Sequence, residues 1–293
     1  MRFCYSESMI DPSFYTTLAL AAEELGYDSI MVPDSICYPA QASSTYPYNS
    51  DGTREFLDGK PFIDPMVLIA HMSAVTTQLR FVTSVVKLPL RHPVLMAKQV
   101  SSLAVMSDDR LVFGVGTSPF REDYEICGVP WEGRGKRLDE SIEVIRSLVG
   151  GGFAEYRGDV YDVPRIKLSP VPNQPVPILI GGHSDAALRR AARLGDGWTA
   201  AGGDDDEALE STIERLRSMR AEYGRANLPF DIYAGSASGF TPDGVRRLAD
   251  MGVDELFVGF RDFYAVGPDT QSLEDKLAAL RGYADDVIAK VKS

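Results

Sequence analysis

The segment ILIGGHSDAALRRAARLGDGWTA (178–200) carries the clearest chemical signal in the sequence. An apolar strand leaves through Gly181-Gly182, whose missing side chains bare consecutive backbone N–H groups. His183 and Ser184 follow, and a helix starts at once. Ser184 stands where an N-cap stands, ahead of Asp185, Ala186 and Ala187. Backbone donors at the positive end of a helix dipole form an anion site, so these four residues can receive a phosphate or a carboxylate. An ordinary strand-to-helix turn reads the same on these residues alone. Metal chemistry is not indicated, since His71, His92 and His183 lack any paired ligand spacing. Cys4, Cys37 and Cys127, odd in number and scattered, read as free thiols of a reducing compartment.

The elements that position this signal alternate regularly. RFCYS is a short strand, followed by a helix from Pro12 to Leu25 that Gly26 stops. Further strands read over Tyr27–Val32, Arg80–Val86, Arg110–Gly116, Val176–Gly182, Gly195–Ala201, Phe230–Ala237 and Asp254–Phe260, each with a helical stretch behind it. Asp64-Pro65 and His92-Pro93 open helices, proline suiting a first turn. Buried parallel strands read as apolar runs, and most of these do. Eight strand–helix units predict a (β/α)8 barrel occupying residues 1–293 as a single domain. A dinucleotide-binding sheet would want GxGxxG after the first strand, and YSESMIDPS has none.

Two segments break the rhythm. Pro33–Asp64, after strand two, is long for a structureless connection and reads as a lid or binding loop, with Tyr38, Tyr46, Tyr48 and Phe56 able to cover an apolar ligand. A solvated excursion with a few packed aromatics is the alternative. Gly150–Pro175 precedes strand five, and its EYRGDVYDV reads as a small structural hairpin. The composition, 44% hydrophobic and 25% charged with a net charge of −12, is that of a globular protein with no basic face for a nucleic acid. No long apolar run near the N-terminus suggests a signal peptide or a membrane span, so the cytoplasm is the expected location.

TSVV in strand three, DRLVFGVGTSP at strand four, RGKRLDESIEVIRSL, and IGGHSDAALRRAARLGDGW together resemble the bacterial luciferase-like superfamily, and within it the coenzyme F420-dependent oxidoreductases. The resemblance is clearest from Met1 to Trp198. It implies an acidic residue, Asp34, beside the deazaflavin ring. It implies a bulge at Thr83-Ser84-Val85, where a non-proline cis bond between Ser84 and Val85 supports that ring. Gly116, Thr117 and Ser118 would follow strand four at the cofactor edge, and Gly181, Gly182, His183 and Ser184 would bind the phosphate-bearing tail. FMN is the alternative cofactor, because both use the same barrel mouth. In that case the chain would be a two-component monooxygenase supplied with reduced flavin by a partner reductase.

The resemblance further implies a homodimer and a hydride-transferring oxidoreductase acting on a small to medium organic substrate. A cofactor-binding paralogue without turnover is a third reading. Each residue also has a plainer one: Asp34 as a turn cap, Ser84 as a small residue in a packed strand, and Thr117-Ser118-Pro119 as an ordinary turn. Arg189, Arg190 and Arg193 lie opposite the apolar face of their helix, and at least two of them read as solvated. Sugar-phosphate and alcohol dehydrogenases of the family follow the strand-two Asp with a His, and the sugar-phosphate enzyme carries a Glu just past strand four. Here Ser35 and Pro119 stand at those positions. The proton donor is therefore unassigned. Tyr38, Tyr46, Tyr48 and Glu122 are candidates, a neutral tyrosine being able to donate to a carbonyl or nitro oxygen.

Overall fold

A computed structural model describes residues 1–49, 51–203 and 205–292; Ser50 of the long loop, Asp204 and Ser293 lie outside the described residues. The first half of the chain supplies β1 (Arg2–Ser6), α1 (Tyr15–Glu24), β2 (Ser29–Val32), α2 (Pro65–Ser73), β3 (Arg80–Thr83), β4 (Val86–Lys87), α3 (Pro93–Met106), β5 (Leu111–Gly116), α4 (Arg121–Ile126) and α5 (Arg134–Val149). An antiparallel hairpin, β6 (Ala154–Arg157) and β7 (Asp162–Ile166), stands where EYRGDVYDV predicts one. Then come β8 (Ile178–Gly181), α6 (Asp185–Leu194), β9 (Gly197–Gly203), α7 (Asp206–Glu222), β10 (Asp231–Gly235), α8 (Pro242–Met251), β11 (Glu255–Val258) and α9 (Leu273–Tyr283). The chain continues through a π turn at Ala284–Ile288 into α10 (Ala289–Lys292).

The strands close into a parallel barrel in the order β3, β2, β1, β11, β10, β9, β8, β5, with β5 pairing back to β3. β4 is the continuation of β3 after a break and pairs with β5 through Val86 and Lys87. Counting β3 and β4 as one strand gives the eight-stranded (β/α)8 barrel expected from the alternation. The period of two decides which side chains go where. Cys4, Met31, Val82, Val112, Leu179 and Tyr233 fill the barrel interior. Their neighbours Phe3, Ile30, Phe81, Phe113, Ile178 and Ile180 face outward into the layer beneath the helices.

Local chemistry sets the helix starts. The Asp64 carboxylate accepts from the N–H of Met66 at 2.9 Å, with Pro65 in the first turn, where a missing N–H is harmless. His92 Nδ1 accepts from Val94 N at 3.3 Å, so His92 is a helix-entry residue. Glu23 of α1 orders the connection from α2 to β3, accepting the backbone N–H of Thr77, Gln78 and Leu79. At the hairpin Glu140 does the same for Asp159, Val160 and Tyr161. The N-terminal end of the barrel is plugged by Glu255, fully buried, which accepts from Arg2 Nε at 2.8 Å, from an Arg80 nitrogen at 3.0 Å and from the Ser29 hydroxyl. On α6 the exposed arginines are Arg189 and Arg193, while Arg190 is mostly covered and pairs with Asp139 of α5. No helix among the described residues is long and apolar enough to cross a membrane.

Candidate active site

A cavity of about 600 Å³ opens at the C-terminal ends of the barrel strands, the face on which barrels of this kind carry their chemistry. Its floor is the break between β3 and β4. The Ser84–Val85 peptide bond is cis, as the resemblance implies, and the third strand is therefore two pieces rather than the continuous run over 80–86 read from the sequence. Three glycines leave room for the break. A Cβ on Gly114 would lie 1.9 Å from Thr83 O, and Cβ atoms on Gly116 and Gly181 would each lie 2.8 Å from a Val85 methyl. Val85 is thus a ledge between the ends of β5 and β8. Ser84 N donates to Val32 O at 2.8 Å and Thr83 Oγ1 donates to Gly114 O at 2.7 Å, which fixes the break from both sides.

One wall is the end of β8. Gly182 takes a φ of +113°, a conformation costly to any residue with a side chain, and its carbonyl accepts from Trp198 Nε1 at 2.9 Å. Ser184 caps α6, its hydroxyl accepting from Ala187 N at 3.2 Å. His183 Nε2 accepts from Ala201 N at 2.9 Å, and its ring meets Trp198 edge-on. The fully buried Trp198 therefore orients both the glycine pair and the histidine. The first-turn N–H groups of α6 have no intrahelical acceptor, and they start where Gly181 to Ser184 line the cavity. Asp185, which would oppose an anion here, accepts from Arg189 at 2.8 Å and from Arg215 at 3.4 Å.

Nine of the ten residues singled out from the sequence as cofactor contacts line this cavity, and Ser118 does not. Its hydroxyl donates to Asp123 at 2.6 Å and accepts from Phe120 N, so Ser118 shapes the turn before α4 while Gly116 and Thr117 reach the cavity. Asp34 lines the cavity with its carboxylate engaged elsewhere. It accepts two hydrogen bonds from Arg91, at 2.7 and 3.0 Å, and one from Lys87 N at 2.9 Å. The residue ties the end of β2 to the segment after the break, and both its oxygens are occupied.

The long loop after β2 forms the roof. Tyr46 is its hub, with ring centroids 5.5 Å from Phe120, 5.3 Å from Phe56, 5.7 Å from Tyr264 and 5.4 Å from Tyr48. Burial, reinforced by Tyr264, pushes the Tyr46 phenol well above its ordinary pKa, so the hydroxyl stays protonated. Tyr38 does not line the cavity and is 40% exposed. Glu122 is a latch rather than a proton donor. One carboxylate oxygen accepts from Ser43 N at 2.7 Å, Ser44 N at 2.9 Å and Ser43 Oγ at 3.2 Å, while Ser44 Oγ accepts from Arg121 N at 3.0 Å. Burial raises its pKa, but the bonds from Ser44 and Ser43 outweigh burial and hold it at about 2.

Sequence reading missed two charged clusters beside the cavity. Lys87 Nζ lies 2.6 Å from the fully buried carboxylate of Asp123, which also meets Arg54 of the loop at 3.4 Å. Arg54 stacks 3.6 Å over the Phe120 ring and donates to Cys37 O, pinning the loop to the start of α4. Across the mouth, Glu7 pairs with Arg261 at 2.8 Å and with Lys276 at 3.1 Å, and Lys276 meets Asp269 at 2.7 Å. The one local signal was the aromatic and charged run FRDFY after strand eight, which supplies Arg261, Phe263 and Tyr264.

Comparison with known proteins agrees with this architecture. The chain matches the luciferase-like monooxygenase family over residues 4–285. An uncharacterised protein of Mycobacterium tuberculosis is 54% identical over 291 residues, covering 99% of this chain and 100% of its own length. An F420-dependent glucose-6-phosphate dehydrogenase of Nakamurella multipartita is 29% identical over 257 residues, 85% of this chain and 71% of the relative. Among solved structures, the monooxygenase RslO1 from Streptomyces bottropensis has the same fold, with a TM-score of 0.76 at 18% identity over 99% of each chain. A closed parallel barrel with its cavity at the strand ends, and a family match along nearly the whole chain, make this protein a member of the luciferase-like monooxygenase family.

Proposed function

We infer that the protein is an F420-dependent oxidoreductase that moves a hydride between the deazaflavin and a small to medium organic substrate. The observation that carries this reading is the pairing, in one cavity, of an apolar ledge with an anion-receiving helix start. Val85, bounded by Gly116 and Gly181, can support a flat ring without a side chain rising against it. The glycine pair and the first turn of α6 offer backbone donors to a phosphate. The F420-dependent relative of Nakamurella multipartita supports the choice of cofactor. The residues present fit the group.

When bound, the deazaflavin supplies a carbon centre that gives or takes a hydride. The chain's own residues do the rest. Val85 and the Ser84 backbone would support the ring, with Gly116 and Thr117 lining the cavity beside them. Gly182, held by Trp198, and Ser184, the cap of α6, would hold the tail. Tyr46, Phe56, Phe120 and Tyr264 exclude water above the ledge. Tyr46 keeps its proton on Oη and can donate to an oxygen of the substrate as charge develops there. Asp34 acts on the architecture, through Arg91, rather than on a proton.

A second reading is favoured by the family's monooxygenases, RslO1 among them: an FMN-dependent monooxygenase on the same scaffold, fed by a reductase. Oxygen separates the two. Purified protein given reduced F420 and an organic acceptor under argon should oxidise the cofactor. Turnover only with reduced FMN and oxygen would overturn the F420 reading. A cytoplasmic location and a homodimer are proposed with it, the dimer supported by Val67, Leu95 and Met106, which stand 63%, 69% and 72% exposed on α2 and α3. Sedimentation at one chain's mass at micromolar concentration would refute the dimer.

A further inference from the structure

We propose that the substrate end of this cavity is built for an uncharged molecule with a flat, unsaturated face, and that it rejects phosphorylated and carboxylated substrates. The inference rests on the cavity being the reaction site. Its warrant is charge compensation. Two cationic side chains, Lys87 and Arg261, line the cavity, and neither is available to an incoming anion. Lys87 is 2.6 Å from Asp123, which is fully buried. Arg261 places Nε 2.8 Å from Glu7, itself 4% exposed, and gives another N–H to Ser8 O. Turning either cation toward a ligand would take a buried carboxylate's nearest cation away, leaving Asp123 with Arg54 at 3.4 Å and Glu7 with Lys276 at 3.1 Å, and thinning a buried ion pair in this way opposes the gain from a new one.

The neighbouring charges do not alter this balance. Arg54 with Glu122, and Lys276 with Asp269, complete the two clusters, each with as many carboxylates as cations. Asp34 is matched by Arg91. His183 Nε2 is engaged by the Ala201 N–H. Asp262, exposed at the rim, acts against the charge of Lys60, which is buried outside the lining and donates its ammonium to Ala265 O. Among the described residues that line the cavity, the α6 start is the surface suited to an anion, and the proposed function gives it to the cofactor's tail. What the other end offers is aromatic: Tyr46, Phe56, Phe120 and Tyr264, with Met9 and Leu57 beside them. Ring faces of this kind favour a flat π system over a hydrated sugar. Recognition of a phosphorylated sugar, the substrate named for the Nakamurella multipartita relative, calls for a charge-assisted donor, and the cations here are already paired.

Cinnamamide and cinnamate differ in charge and hardly in shape, so they isolate the claim. Calorimetry on the full-length protein at neutral pH should show cinnamamide binding at least about tenfold more tightly than cinnamate, roughly the size of one charge-assisted contact. Glucose-6-phosphate, named for the relative, should give no saturable binding. Equal or tighter binding of cinnamate, or saturation by the sugar phosphate, overturns the proposal. Glu7→Gln frees Arg261 and Asp123→Asn frees Lys87. Each variant that melts cooperatively should bind cinnamate about tenfold better, with cinnamamide unchanged. A folded variant that leaves the gap intact removes charge compensation as its cause. F420 affinity is read in separate titrations. Preference for the amide without F420 binding overturns the cofactor reading and supports this one; F420 binding with preference for cinnamate does the reverse.

Discussion

Replacing Glu122 with alanine should release the first part of the roof from α4. The carboxylate receives the backbone N–H groups of Ser43 and Ser44 at 2.7 and 2.9 Å and the Ser43 hydroxyl at 3.2 Å. A hydrogen bond to a charged acceptor contributes roughly 1.5–3 kcal/mol after exchange with water, and the three bonds share one carboxylate oxygen, so the loss taken here is that of one such bond, about 2 kcal/mol. At about 1.4 kcal/mol per tenfold, amide exchange at Ser43 and Ser44 should accelerate about thirtyfold. Glu122→Gln keeps an acceptor without the charge and should accelerate it only about fivefold. Hydrogen-exchange mass spectrometry on the loop peptide reads both. Unchanged exchange in the alanine variant would refute the latch.

The sign with pH comes from the same residue. The folded pKa of about 2 lies below the ordinary carboxylate value. The stabilisation is therefore complete above about pH 5 and disappears as pH falls through about 2, so wild type should lose its advantage over Glu122→Ala in that window.

Other perturbations address the parts that hold the site. Gly114→Ala puts a Cβ 1.9 Å from the Thr83 carbonyl, a backbone atom with nowhere to go, and should cost about 3 kcal/mol in denaturant unfolding. A normal midpoint would show that the floor is slack. Glu255→Ala leaves Arg2 and Arg80 without their shared carboxylate; because both arginines remain about a third exposed, the cost should sit at the low end for a buried pair, about 3 kcal/mol. Its unfolding midpoint should drop while cavity ligands bind as before. Glu140→Ala should speed exchange at Asp159, Val160 and Tyr161 and leave cavity ligands unaffected, since the hairpin does not line the cavity.

The barrel was legible because most of its buried parallel strands read as apolar runs and several helix starts carry their own caps, as at Asp64, His92 and Ser184. These are local signals. The glycine turn and the cap of α6, proposed above to receive an anion, were legible for the same reason, since Gly181 to Ser184 are consecutive. The cis bond between Ser84 and Val85 came with the family resemblance, and nothing in FVTSVV by itself separates a broken strand from a regular one. What sequence could not give are pairings across the fold. Arg91 occupies the Asp34 carboxylate from 57 residues away, and Asp123 draws Ser118 out of the cavity lining. Glu122 stood among the proton-donor candidates until its contacts with Ser43 and Ser44 identified it as an ionised latch. Glu7 and Arg261 lie 254 residues apart and meet because the first and last barrel strands are neighbours.

Equilibrium binding of F420 and of FMN to the purified chain, followed by quenching of ligand fluorescence, tests the proposed function most directly. The expected result is saturable F420 binding at least about tenfold tighter than FMN, a difference of about 1.4 kcal/mol. Saturable binding of FMN with none of F420 would contradict it.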